Sequence, residues 1–127
     1  MTGILAGCRV LVVEDSPLIA ADAEDMLREF GCAVVGPTGS LAVAIELAEK
    51  EALDAAVIDV NIRGWKVFPV AEILAARDVP FLLASGYADW TMPDRLNHRP
   101  RLLKPYNKED LRRELTSLLQ GPEEGEE

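Results

Sequence analysis

The stretch Val10-Leu11-Val12-Val13-Glu14-Asp15-Ser16-Pro17 decides how this chain folds. Four apolar, mostly β-branched residues without polar alternation describe a strand buried on both faces, the requirement of a parallel sheet. The run stops at two acids. Ser16 then supplies an N-cap hydroxyl, and Pro17 a first helical position where a missing N–H costs nothing. Ile19, Ala23, Met26, Leu27 and Phe30 recur at spacings of three and four, the apolar stripe of a helix that Gly31 caps.

The same strand-then-helix pattern repeats along the chain. Cys32-Ala33-Val34-Val35 predicts a second strand, stopped by Gly36-Pro37. Ser40 caps a helix running to about Glu51, with Leu41, Ala44, Ile45 and Ala48 inward. Ala55-Ala56-Val57-Ile58 predicts a third strand that ends at Asp59. A helix over about 70–76 follows Pro69, and Pro80-Phe81-Leu82-Leu83-Ala84 reads as a fourth strand ending at Ser85-Gly86. Between Asp89 and Pro100, Pro93 and Asn97 argue for a short or broken helix. Leu102-Leu103 closes a fifth strand at Lys104-Pro105. Asn107 caps a last helix, with Asp110 at its third position and Leu111, Leu115, Leu118 and Leu119 inward. Five strand–helix pairs predict an α/β three-layer sandwich around a five-stranded parallel sheet. Right-handed crossovers favour the flavodoxin-like order 2-1-3-4-5.

At 127 residues the chain has room for one domain and too little for an eight-fold barrel. That domain is expected over residues 1–120. The segment 121–127, with four Glu and no base, reads as a solvated, disordered tail. Thirteen Lys and Arg against twenty-two Asp and Glu give a net charge of −9. Such a field repels phosphate backbones, so nucleic acid is not expected as a direct partner. Cys8 and Cys32, the only cysteines, form neither a disulfide framework nor a zinc site, and read as small buried hydrophobes in a reducing compartment. The N-terminus lacks a basic start and a sustained apolar run, so no signal peptide is expected. No window approaches the ~18 apolar residues of a membrane span. A cytoplasmic protein that avoids membranes is the expectation.

Ligands of open α/β sheets bind beyond the carboxyl ends of the strands, at the switch point between the first and third. The residues that end the strands here are Glu14 and Asp15, Asp59, Ser85 and Lys104. Three carboxylates on adjacent strands cannot all stay ionised without a cation, and oxygen ligands suit a hard ion such as Mg²⁺. A lysine, a hydroxyl and a metal around one carboxylate would neutralise and orient a phosphoryl group being passed to it. Strand ends are also often polar only because they meet solvent. The joint placement of these residues on the right strands is what favours chemistry.

The motifs Val10-Leu11-Val12-Val13-Glu14-Asp15-Ser16, Asp59, Ser85-Gly86 and Leu103-Lys104-Pro105 resemble the receiver domain of two-component response regulators, a CheY-like superfamily. The resemblance runs from about Arg9 to Leu119. It implies that Asp59 is the phosphoacceptor, taking phosphoryl from a phosphohistidine on a sensor histidine kinase or a histidine phosphotransferase. It implies that Asp15 binds Mg²⁺ directly, Glu14 directly or through water, and Asn61 by its backbone carbonyl. Ser85 would bond a phosphoryl oxygen, and Lys104 would pair with the phosphate or, without it, with Asp59. A cis Lys104-Pro105 peptide is implied as well. So is a module that catalyses only its own phosphorylation and dephosphorylation, as a monomer or weak homodimer.

Departures from the family pattern are informative. Four residues after Asp59, where receivers usually carry Pro, stands Arg63, which suggests a more mobile loop over Arg63-Gly64-Trp65-Lys66. Three residues before Lys104, where an aromatic usually switches, stands Arg101. The stretch Phe81-Leu82-Leu83-Ala84-Ser85-Gly86-Tyr87 is similar to the motif of the FATGUY receivers, a stand-alone group common in alphaproteobacteria, although Leu83 sits where that motif has Phe. That likeness makes Tyr87 a candidate reporter of phosphorylation, against its plainer reading as a half-buried loop aromatic. Trp65 and Trp90 flank the site in sequence as a partner surface or as cover for the sheet edge. His98, the only histidine, reads as a solvated loop residue, so the phosphohistidine must come from another protein.

Other readings stay open at this stage. An aspartyl-phosphate phosphatase would carry its nucleophile on the first strand with a second Asp two residues on, which Glu14-Asp15-Ser16-Pro17 does not provide. A receiver-like scaffold that never takes phosphate, and a receiver domain excised from a larger kinase or regulator, are the remaining alternatives.

Overall fold

The computed structural model describes residues 3–86 and 99–120. Its elements are β1 (Arg9–Val13), α1 (Pro17–Glu29), β2 (Ala33–Thr38), α2 (Leu41–Lys50), β3 (Ala55–Asp59), β4 (Asn61–Ile62), β5 (Trp65–Lys66), α3 (Phe68–Ala76), β6 (Phe81–Ser85), β7 (Arg101–Leu103) and α4 (Lys108–Gln120). The main sheet runs β2-β1-β3-β6-β7, all parallel, which is the expected 2-1-3-4-5 order of major strands. Residues 87–98, with most of the helix expected there, Tyr87, Trp90 and His98, lie outside the described residues, as does the acidic tail.

Strand periodicity sorts the core. Leu11 and Val13 of β1 face one way with Ile58, Phe81 and Leu83, against Ala44, Ala48, Val70 and Leu74 of α2 and α3. Val10 and Val12 face the other way with Val57 and Leu82, against Ala23 and Leu27 of α1 and Leu111 and Leu115 of α4. Side chains on alternate sides of a pleated strand make one continuous apolar run serve two cores. Burying each such Leu, Ile or Val contributes about 1.5–3 kcal/mol.

Local signals act as read. The Ser16 hydroxyl accepts from the Ile19 amide at 3.4 Å and that of Ser40 from Val43 at 3.2 Å. Asn107 and Asp110 cap each other reciprocally, with the Asp110 amide 2.8 Å from Asn107 Oδ1. Gly31 follows α1 with φ +94°, the left-handed cap position. The Lys104-Pro105 peptide is cis, as the resemblance implied.

Four readings need correction. β2 does not stop at Gly36-Pro37 but runs through it to Thr38. It is an edge strand, where a proline without N–H is tolerated, and its register against β1 shifts between Leu11 and Val13. Gly36 (φ +92°) passes so close to β1 that a Cβ there would meet the Val12 carbonyl oxygen at 3.0 Å. Second, residues 61–66 are an antiparallel hairpin, Asn61 opposite Lys66 and Ile62 opposite Trp65. Arg63 (φ +52°) and Gly64 (φ +84°) form its two-residue turn, the left-handed pair of a type I′ connection. Third, α3 starts at Phe68, before Pro69, without a side-chain cap. Fourth, Cys8 is only partly buried, although Cys32 is buried and both thiols are free.

Candidate phosphoryl-transfer site

The chain reverses direction across the sheet between β1 and β3, because α1 packs on one face and α2 on the other. The crevice this opens lies at the carboxyl ends of the two central strands. Glu14 follows β1 directly, Asp59 ends β3, Ser85 ends β6, and Lys104 follows β7. Glu14 and Asp59 are buried to 5% and 3% exposure, and Ser85 is wholly inaccessible. A carboxylate at such depth needs a counter-charge or strong donors.

Lys104 provides the counter-charge. Its Nζ lies 2.9 Å from Asp59 Oδ2 and 3.2 Å from Glu14 Oε1. Burial alone would push the ammonium down, but Asp59 and then Glu14 outweigh it, so Lys104 is held above its ordinary value and stays charged. Glu14 goes the other way. Burial raises its pKa and the Asp59 charge adds to this, against the Ser16 amide 3.0 Å from Oε2 and against Lys104. Two carboxylates thus share one ammonium, with Asp15 close by. Glu14, Asp15 and Asp59 each place a ligand atom within 4.8 Å of the others.

Backbone donors orient the acids further. The Asn61 amide donates to Asp59 Oδ1 at 3.2 Å, and the Arg63 amide to Asp15 Oδ2 at 2.7 Å. The Lys104 amide donates to the Ser85 carbonyl at 2.8 Å, which ties the ends of β6 and β7 together at the site. Among the described residues the Ser85 hydroxyl and Asn61 Oδ1 are buried without a hydrogen-bond partner. Buried polar atoms are nearly always satisfied, so an orphaned hydroxyl beside a charged pocket marks a place for a ligand oxygen. Every residue that the strand-end reading singled out therefore converges on one edge of the sheet.

Two neighbours of the site escaped the sequence. Tyr106, just beyond Lys104-Pro105, has its hydroxyl pKa raised by burial and then by the charges of Glu14, Asp59 and Asp22. Arg63 reaches the site through its main chain, which no side-chain pattern could signal.

Comparison with known proteins places this architecture. The structure of SdrG from Sphingomonas melonis Fr1 superposes with a TM-score of 0.79 at 42% sequence identity, over 92% of this chain and 98% of that one. The receiver domain of the sensor histidine kinase PA1611 from Pseudomonas aeruginosa PAO1 superposes at 0.74 with 26% identity, over 91% of this chain and all of that one. The chain belongs to the response-regulator receiver family. It is a phosphorelay signalling domain. The PA1611 receiver carries a magnesium ion coordinated in its active-site cleft. The transcriptional regulatory protein PdtaR of Mycobacterium tuberculosis is 33% identical over 107 residues, 81% of this chain. The receiver spans about half the length of that curated relative, 52%. No family model matches the chain. No helix among the described residues is long and apolar enough to cross a membrane.

Proposed function

We propose that this receiver accepts a phosphoryl group on the Asp59 carboxylate from a phosphohistidine of a sensor kinase or phosphotransferase, in a Mg²⁺-dependent reaction. The observation that carries the proposal is the buried Lys104–Asp59 pair at 2.9 Å, with Glu14 and Asp15 crowding the same point. A carboxylate oxygen of Asp59 attacks phosphorus, and the phosphorus–nitrogen bond breaks. The imidazole leaves with the bonding electron pair and takes up a proton. Hydrolysis later returns the carboxylate and inorganic phosphate.

The donor set fits a hard divalent ion: three clustered carboxylate ligands with no nitrogen or sulfur among them. Glu14, Asp15, Asp59 and the Asn61 carbonyl would hold Mg²⁺. Bound there, it would neutralise the carboxylates and the charge on the transferred oxygens. Lys104 holds Asp59 before transfer and follows the incoming phosphoryl oxygen afterwards. Ser85 supplies the orphaned hydroxyl to another phosphoryl oxygen. Both act by placing positive charge or a donor where negative charge arrives, which is most of phosphoryl-transfer catalysis. The receiver unit covers residues 1–120, works in the cytoplasm as a monomer or weak homodimer, catalyses only its own phosphorylation and dephosphorylation, and binds no nucleic acid.

Acetyl phosphate with Mg²⁺, followed by intact-mass measurement, tests this. A gain of one phosphoryl group is expected, and it disappears with EDTA and in Asp59→Asn. A gain that persists in Asp59→Asn would reject Asp59 as acceptor.

A further inference from the structure

We propose that Arg63 is a positioning residue for Asp15, acting through its backbone amide rather than its side chain. The inference rests on the reading of Asp15 as a metal ligand. The Arg63 amide donates to Asp15 Oδ2 at 2.7 Å, a short, charge-assisted bond across 48 residues of chain. Holding one oxygen restricts the carboxylate and leaves its remaining lone pairs for a cation shared with Glu14 and Asp59. Proline at position 63 has no N–H and could not make this bond.

The hairpin exists in a form suited to hold that amide. Arg63 sits at φ +52° in the turn, a conformation uncommon for a residue with a Cβ. The pairs Asn61–Lys66 and Ile62–Trp65 close the turn. Ile62 is fully buried and anchors it in the core, and the Val67 amide bonds the Val60 carbonyl at 2.9 Å beneath it. Gly39 approaches Asp15 so closely that a Cβ there would stand 2.9 Å from Asp15 Cα and 3.2 Å from the Arg63 guanidinium. Asp15 is thus packed against the β2–α2 loop and bonded to the hairpin. The same hairpin forms one wall of an open cavity of about 430 Å³, lined also by Leu41 and Ile45 of α2, with Trp65 at its edge.

The test uses the full chain and Mg²⁺ alone, without phosphodonor. Calorimetric titration of Arg63→Pro is expected to show Mg²⁺ binding weakened roughly 10–100-fold, the loss typical when a partner orienting a metal ligand is removed. Arg63→Gly, which keeps both the amide and the left-handed turn, retains the affinity that Arg63→Pro loses. Amide NMR of the unmodified chain gives a second reading that survives any folding defect of the proline variant. The Arg63 N–H resonance is expected to move on Mg²⁺ saturation, and this response is lost in Asp15→Asn. Arg63→Pro binding as tightly as the parent, or an Arg63 resonance unmoved at saturation, would overturn the positioning role while leaving the receiver reading intact. Absence of Mg²⁺ binding by the parent chain would overturn both.

Discussion

Lys104 is the residue on which the charge balance of the resting site turns. Its ammonium is the counter-ion of two carboxylates that are each only 3% exposed at the side chain. Truncation to Lys104→Met leaves both acids buried and unpaired, a change that typically costs about 3–5 kcal/mol. Urea unfolding in EDTA is expected to show a loss of that order. Mg²⁺ should restore more stability to this variant than to the parent, because the ion takes over the missing positive charge. Equal recovery in both would mean that Lys104 and the metal do not neutralise the same carboxylates. Glu14 carries the pH dependence. Its pKa in the folded chain lies above the ordinary 4.5, so between 4.5 and that raised value the folded protein holds a proton that the unfolded chain has released. The stability this confers is fully present below 4.5 and is lost as pH rises through the raised folded value. Protonated Glu14 cannot ligate a cation, so apparent Mg²⁺ affinity should climb over the same window. In Glu14→Gln, titrations at stepped pH should show a flatter climb; an unchanged slope would assign the proton to another group. At Cys32, burial and then the neighbouring Cys8 push the thiol up to about 11. At pH 8 only about a thousandth of it is thiolate, so alkylation by iodoacetamide should be far slower than for a free thiol near 8.5.

At the level of elements, most of the fold was legible because buried parallel strands and capped helices both write themselves into local sequence. The apolar run before Glu14, the hydroxyls of Ser16 and Ser40 and the Asn107–Asp110 box each act within four residues of themselves. The candidate site was legible for a related reason: in this topology the crevice lies at or just past the carboxyl ends of the central strands, so finding strand ends finds Glu14, Asp59 and Ser85. What escaped depends on partners distant in sequence. β2 continues past Gly36-Pro37 because an edge strand needs hydrogen bonds on one side only, and edge position is a property of the assembled sheet. The β4–β5 hairpin has two-residue strands, too short for any periodicity, and Arg63-Gly64 lacks the Asn-Gly or Asp-Gly pair that usually marks such turns. Gly39 belongs to the same class. Nothing nearby in sequence demands a glycine there, but Asp15 Cα would lie 2.9 Å from an added Cβ. Gly39→Ala should therefore cost about 1–3 kcal/mol through overpacking. It should weaken Mg²⁺ binding beyond that stability loss, because the backbone that must yield carries Asp15. A variant that loses stability but binds Mg²⁺ normally would show that the β2–α2 loop gives way instead.

The whole molecule couples these effects, because the acids that weaken the resting fold are those that would bind the ion. A net charge of −9 raises the local concentration of cations, while the carboxylates gathered at one sheet edge concentrate the repulsion there. Folding alone brings Asp59, at the end of β3, to Glu14 and Asp15 just beyond β1, since these are distant in sequence and have no reason to meet in the unfolded chain. A ligand that binds only the folded state stabilises by RT ln(1 + [L]/Kd), about 2.7 kcal/mol at a hundredfold excess over Kd. For a domain of this size that is on the order of 10 °C in Tm. Thermal melts should therefore rise steadily with the logarithm of Mg²⁺ concentration once the site is filled. The rise should vanish in Asp15→Asn, which keeps the sheet but lacks one ligand charge. An equal rise in Asp15→Asn would mean that Mg²⁺ is relieving the general negative charge of the surface. The two cases also separate in 0.5 M NaCl, which screens a diffuse ion atmosphere but competes little for a clustered carboxylate site.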